Sequence, residues 1–201
     1  MKASLLFLTN LFFFFFSSSA IQAGDIYAEY KMTGVTNTPL ISKMYGKNGN
    51  IRTEINMSMA GQQMTTTTLM LKSNPNAAIV FNSMSKTYTE TKVSGNSAPK
   101  SVSIKVLGTE KVGIYNCTHV KMTSDGKSWD AWFTKDLPAL NFPISGNNEL
   151  SSQKVINELK SKGITGMMAK VVFQAPGAGT KAITMQLVKY ETKTLNASLF
   201  T

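Results

Sequence analysis

The sequence predicts a mostly β domain whose sheet is antiparallel, curled or partly closed around one core, with a single clear helix. Three observations predict it. Short segments with period-2 alternation follow one another, separated by clusters of Gly, Asn, Asp, Pro and Ser. Hairpin-type turns join successive segments, so neighbours in sequence should be neighbours in an antiparallel sheet. Only one stretch, 148–162, carries helical spacing together with a helix stop.

The elements follow in order. Residues 26–34 place Ala28, Tyr30 and Met32 on one face. Residues 40–45 follow the Asn37-Thr38-Pro39 turn, and Gly46-Lys47-Asn48-Gly49-Asn50 is a hairpin signal. Residues 51–57 alternate cleanly, with Ile51, Thr53, Ile55 and Met57 on one side and Arg52, Glu54 and Asn56 on the other. After a turn at Ala60-Gly61-Gln62, residues 63–71 form a Thr-rich strand, where β-branched side chains suit the pleat. A turn at 73–76 leads to the apolar run 77–82, read as a central strand, and then to 86–91. The polar stretch 94–100 reads as a loop. Strands are expected at 102–106, 110–115 and 117–123, and Asp125-Gly126 turns the chain into the aromatic strand 127–134. Residues 136–142 read as a helical turn or loop. In 148–162, Leu150, Ile156 and Leu159 share an apolar sector, and Lys160-Ser161-Lys162-Gly163 supplies positive charge and a glycine at the C-terminal end. Residues 166–174 and 181–191 close a last hairpin around Pro176-Gly177-Ala178-Gly179.

The 201 residues are one domain's worth of chain, long enough to bury a core without disulfides. The first 23 are read apart from it. Lys2 is a short basic region, 5–16 are apolar except for Thr9-Asn10, and 17–23 end in small and polar residues. This is the plan of a cleavable secretory signal peptide, and the apolar run is shorter than the roughly 18–20 residues of a spanning helix. The expected domain is therefore 24–201, with a charge of +9 once Lys2 is removed. No transmembrane segment is expected in it. Three Asn-x-Ser/Thr triplets, at Asn56, Asn116 and Asn196, are frequent enough by chance to carry no inference.

The chemistry is sparse. One Cys and one His remain, Cys117 and His119, so a Ser-His-Asp or Cys-His hydrolase would have to use His119, and no nucleophile elbow accompanies it. No Gly-rich phosphate loop or carboxylate pair appears, so neither an enzyme nor a cofactor is expected. Cys117 and His119 fall on one strand face, and with nearby Met they define an alternative reading as a soft copper or zinc site. The simpler reading makes Cys117 a small buried hydrophobe and the 11 Met that follow the leader core filler or the lining of an adaptable apolar pocket. The basic residues are dispersed and, except for Arg52, are all Lys, which argues against a nucleic-acid partner. They fit an anionic membrane surface or an acidic partner, and equally a role in solubility alone.

Short ordered pieces carry a resemblance to a known family: Tyr30-Lys31-Met32-Thr33-Gly34, Gly49-Asn50-Ile51-Arg52-Thr53-Glu54, Ala78-Ile79-Val80-Phe81-Asn82 with Lys86-Thr87-Tyr88, Val106-Leu107-Gly108-Thr109-Glu110-Lys111-Val112, Tyr115-Asn116-Cys117-Thr118, Trp132-Phe133-Thr134-Lys135-Asp136-Leu137 and Gly163-Ile164-Thr165-Gly166. The chain resembles the exported bacterial family DUF4412, a domain of unknown function grouped with the periplasmic lipoprotein carriers and receptors. The resemblance implies a strongly curved antiparallel sheet, a half-open barrel with a helix covering its concave face. It implies periplasmic or secreted location in a Gram-negative bacterium and a lipid or lipidated protein as partner. It favours a structural role for Cys117. The gating Arg of the true carriers does not align with Arg52, so that role is not carried over. The leading expectation is non-catalytic binding of a hydrophobic or lipidated ligand, with ligand-binding residues unassigned. A soft-metal protein and an interaction module without ligand are the alternatives.

Overall fold

The computed structural model describes residues 24–59, 61–92, 101–138, 153–174 and 182–201. The leader, the loop at 94–100, the end of the 136–142 segment, the beginning of the helix at 148–152 and the turn at 176–179 lie outside the described residues. Eleven strands are described: β1 (Ile26–Thr33), β2 (Leu40–Lys47), β3 (Asn50–Met59), β4 (Gln62–Leu71), β5 (Asn74–Asn82), β6 (Thr87–Lys92), β7 (Val102–Val112), β8 (Tyr115–Ser124), β9 (Lys127–Thr134), β10 (Met167–Gln174) and β11 (Ala182–Thr192). One helix, α1 (Gln153–Ser161), lies between β9 and β10, and a 3-10 turn, Ala197–Phe200, follows β11.

All eleven strands form one antiparallel sheet in the order β6-β5-β4-β3-β2-β1-β11-β10-β9-β8-β7. The chain therefore winds outward from β1 to one edge, restarts at the other edge with β7, and winds back until β11 pairs with β1. Two meanders are thus joined at their first and last strands. The edges β6 and β7 do not pair, and the curved sheet is not closed into a barrel.

Local chemistry explains the best-anticipated hairpins. Asn48 and Gly49 have φ of 52° and 84°, and Asp125 and Gly126 have 45° and 81°. Two successive residues at positive φ match the right-handed twist of the flanking strands, and Asn-Gly and Asp-Gly tolerate it best. The stop at the end of α1 also forms as expected. Ile164 N donates to Leu159 O at 3.0 Å and Gly163 N to Lys160 O at 2.9 Å. This pair of bonds caps the last turn, and Ile164 drops into the core behind it.

Two expectations need correction. The three strands anticipated between 102 and 123 are two longer ones, because Leu107 is a bulge in β7 and not a turn. Gly108 at φ 151° absorbs the irregularity, while the actual turn falls at Gly113-Ile114. The apolar run in β5 is not central; it lies next to the edge strand β6. It is apolar on both faces because the 3-10 turn, more than a hundred residues later, covers its outer side. There Leu69, Leu195 and Phe200 form a cluster with Tyr45, Leu71, Ile79 and Leu199.

The main core lies on the opposite, inner face. It joins Ala28, Tyr30, Met44, Ile104, Val120, Met122, Trp129, Ala131, Met167, Val171, Met185 and Leu187 to Val155 of α1. A bulge between Met168 and Lys170 interrupts the β9–β10 ladder, and the buried Tyr30 hydroxyl donates to the Met168 carbonyl at 2.9 Å. Burial also pushes the Tyr30 phenol upward, so it stays a donor at any physiological pH.

A polar clamp pins the C-terminal segment. Asp25 Oδ2 accepts from Lys47 Nζ at 2.5 Å and from Leu195 N at 2.8 Å, and Lys47 Nζ also donates to Leu195 O at 2.9 Å. The Lys47 hydrogen bond, followed by the Leu195 amide, lowers the Asp25 carboxyl from its ordinary 3.8. A carboxyl lowered by folding stabilises above its unfolded value and loses that contribution as the pH falls through the folded one. The melting-temperature gap between wild type and Asp25→Asn should therefore be present near neutrality and shrink as the pH is taken below 3.8.

Candidate functional site

The strand register divides the inner face into two halves. From β1 through β11 to β8 it is closed: Ala28, Val120, Ala131, Val155 and Val171 are fully buried. Among the described residues, α1 packs at the β7 end. The other half differs. On β3, Ile51, Thr53, Ile55 and Met57 oppose Met70, Thr68, Thr66 and Met64 of β4, and the next strand adds Ala78, Val80 and Asn82. Ala78 is buried, but the rest of this surface is half-buried. It is a continuous floor of Ile, Met, Val and Thr on the side of the sheet that carries α1. The Asn82 amide donates to the Met64 sulfur at 3.5 Å, which holds one edge of the floor in place.

The anticipated Cys117–His119 pair occupies the outer face. β8 presents both side chains there, as their spacing requires, and each meets partners that the sequence alone did not identify. Cys117 is fully buried beside Val112, Trp132 and Ala169, and its thiol donates to Tyr115 O at 3.7 Å. Burial raises the thiol above its ordinary 9.0. His119 stacks on its cross-strand neighbour Trp132, with ring centroids 4.1 Å apart and planes at 12°. Its Nδ1 lies 3.1 Å from Glu110 Oε1 and its Nε2 3.0 Å from Asp130 Oδ1. The Trp132 indole also donates to Glu110, and Lys170 Nζ sits 4.3 Å from the Trp132 ring centroid.

This geometry makes a satisfied surface cluster. Both imidazole nitrogens already face carboxylates, so neither offers a lone pair to a metal without breaking a contact. Among the described residues, no group of three or more His, Cys, Asp or Glu is arranged to hold a metal ion. Cys117 should accordingly resist iodoacetamide in the native protein at neutral pH and react fully in denaturant, read by intact mass. Cys117→Ser should leave anaerobic Cu(I) binding unchanged; loss of a tight Cu(I) site would favour the metal reading.

Arg52 also lies on the outer face, opposite Tyr45 and Leu69 in the register. Its Nε donates to Glu54 Oε1 at 2.8 Å and its Nη1 to Leu199 O at 3.1 Å, which ties the 3-10 turn to β3. Glu54 Oε2 accepts from Tyr45 at 3.2 Å, and burial, then the Glu54 charge, pushes the Tyr45 phenol up to about 12. The single Arg is thus a fastening of the C-terminal segment, on the far side of the sheet from the apolar floor.

The arrangement defines an unclosed antiparallel sheet with its core and helix on one face and an incompletely covered apolar floor beside them. Residues 29–201 match the family described as Domain of unknown function (DUF4412), and the chain belongs to that family. An uncharacterized conserved protein from Thermus thermophilus shares the fold, with a TM-score of 0.56, 9% identity, and coverage of 89% of this chain and 85% of that one. Two further solved structures align more loosely. A LolA superfamily protein from Nitrosomonas europaea has a TM-score of 0.37 and 7% identity over 89% of each chain. A DUF1329 family protein from Desulfovibrio piger has 0.40 and 14%, over 90% of this chain and 91% of that one. No curated protein matches this chain.

Proposed function

We propose that this is an exported, non-catalytic binding protein that holds a hydrophobic ligand, an acyl chain or a lipidated partner, on its inner face. The half-buried floor of β3–β5 carries this reading. There Ile51, Ile55, Met57, Met64, Met70 and Val80 lie side by side, while the adjoining half of the same face is sealed. Covering such a floor gains roughly 25 cal/mol per Å² of apolar surface before ordering costs. Unbranched Met side chains adapt to chains of different length. Three further features fit. The leader-like residues 1–23 fit export, no helix among the described residues is long and apolar enough to cross a membrane, and the dispersed lysines favour approach to anionic lipid headgroups.

The direct test is titration of residues 24–201 with 1-N-phenylnaphthylamine, an apolar dye that brightens in hydrophobic sites. Saturable brightening that a long-chain lipid displaces is the expected result. Dye fluorescence that stays at its buffer value would leave a module without ligand as the better account.

A further inference from the structure

The turn between β5 and β6 holds one polar side chain of the floor in a defined orientation. Asn82 Oδ1 accepts from Met84 N at 2.9 Å and from Ser85 N at 3.4 Å, so the amide oxygen faces the turn. An NH2 group cannot accept from those two donors, which fixes which end of the amide is which. The NH2 end faces Met64 and donates to its Sδ at 3.5 Å. Thr65 and Ser83, the residues next to this pair, are tied twice, by Ser83 N to Thr65 O at 3.0 Å and Thr65 N to Ser83 Oγ at 2.8 Å. A thioether is a weak acceptor, so a well-held donor is aimed at a group that makes little use of it. Met64 is half-buried and stands opposite the half-buried Met57 of β3. The core methionines differ: Met122 and Met167 are 1% exposed, and Met44 and Met185 are buried as well.

Resting on the binding reading above, we propose that Met64 is a reversible oxidation site, and that its sulfoxide, received by Asn82, makes the floor polar and weakens its hold on an apolar ligand. The oxidant is a peroxide. The sulfur lone pair takes one oxygen of hydrogen peroxide as the O–O bond breaks, and the hydroxide that leaves takes up the proton on that oxygen and departs as water. Sulfur is oxidised by two electrons and the peroxide is reduced by two. The return step consumes two thiols, which become a disulfide while the oxygen leaves as water, the chemistry of methionine sulfoxide reductases. A sulfoxide oxygen is a strong acceptor, and here it forms on the atom to which the Asn82 N–H already points. The oxidised side chain therefore keeps a partner within the fold. An apolar molecule on the floor gains nothing from that oxygen and strips it of water, which lowers affinity. The same change at Met122 or Met167 would disrupt the core, and burial shields both.

The test treats the mature protein with hydrogen peroxide, locates the added oxygen by peptide mass, and titrates with phenylnaphthylamine before and after. Met84, 51% exposed in the turn, reports the oxidant dose, and unmodified Met122 and Met167 report that the fold persisted. The expected result is oxygen on Met64, dye affinity lowered about tenfold, and recovery after a methionine sulfoxide reductase with dithiothreitol. Met64→Leu should bind the dye as wild type does and keep most of that affinity through the same treatment, while Met84→Leu should lose it as wild type does. Asn82→Asp keeps the oxygen that Met84 and Ser85 use and removes the N–H. Its oxidised form should melt further below its unoxidised form than the wild-type pair does, a gap that a merely structural Asn82 would not widen. Wild-type dye affinity with Met64 fully oxidised, or an equal loss in Met64→Leu, would overturn the oxidation site and leave the binding reading standing. Equal melting gaps in Asn82→Asp and wild type would overturn the part given to Asn82. Untreated protein that binds no dye would overturn the binding reading and the weakened hold together.

Discussion

Replacing Gly166 by Ala is expected to lower the melting temperature by about 10 °C or more, the largest effect of any single methyl group in the described structure. Gly166 has φ 94°, and a Cβ there would lie 1.8 Å from the Thr134 carbonyl oxygen and 2.7 Å from its carbon. Both obstacles are backbone, and Thr134 is fully buried where β9 meets the start of β10. No side chain can swing aside, so the strand junction itself must move. Gly61 is the matched control. Its φ is 79° and its added Cβ meets nothing within 4 Å. Gly61→Ala should show the conformational strain alone, about 1–2 kcal/mol, and the difference between the two variants isolates the close approach of the β9 and β10 backbones. Differential scanning calorimetry of both variants checks this; equal shifts would contradict it.

Replacing Ile55 by Lys is expected to reduce affinity for the apolar dye at least tenfold while the fold survives. Ile55 sits between Ser42 and Thr66 on the inner face and is only half-buried. A Lys there can lead its ammonium out of the concavity, so the cost falls mainly on whatever apolar molecule occupies the floor. Val188→Lys is the contrast. Val188 is the extra residue where β11 slips against β1, and it is 50% exposed. Its change should leave binding as it was. Dye titration with melting curves separates the two; equal losses in both variants, or none in Ile55→Lys, would remove the floor from the site.

How far the sequence carries these conclusions depends on the range of each interaction. Asn48-Gly49, Asp125-Gly126 and the Lys160–Gly163 stop are encoded within a few residues, and the structure forms each where it was expected. The Leu107 bulge is equally local, but a bulge and a turn both interrupt alternation, so one long strand read as two. The pairing of β1 with β11 joins residues more than 150 positions apart and has no local signal. The same holds for the 3-10 turn that covers β5. Without it, the apolar run in β5 imitates a central strand.

The site divides in the same way. That Cys117 and His119 share a face follows from period two. That His119 lies between Glu110 and Asp130 and stacks on Trp132 does not, because those partners come from two neighbouring strands whose register is fixed only in three dimensions. The scarcity of reactive groups singles out one strand face for a metal, and the register fills that place with carboxylates and an indole. The Ile and Met of β3 were legible as one face; that this face stays half-buried was not.

The most direct test of a binding role is native mass spectrometry of the protein purified from its own host without detergent. A binding role predicts a population heavier than the polypeptide by the mass of an acyl lipid, released when the protein is unfolded. A single species at the polypeptide mass, from fresh preparations that retain the native fold, would contradict it.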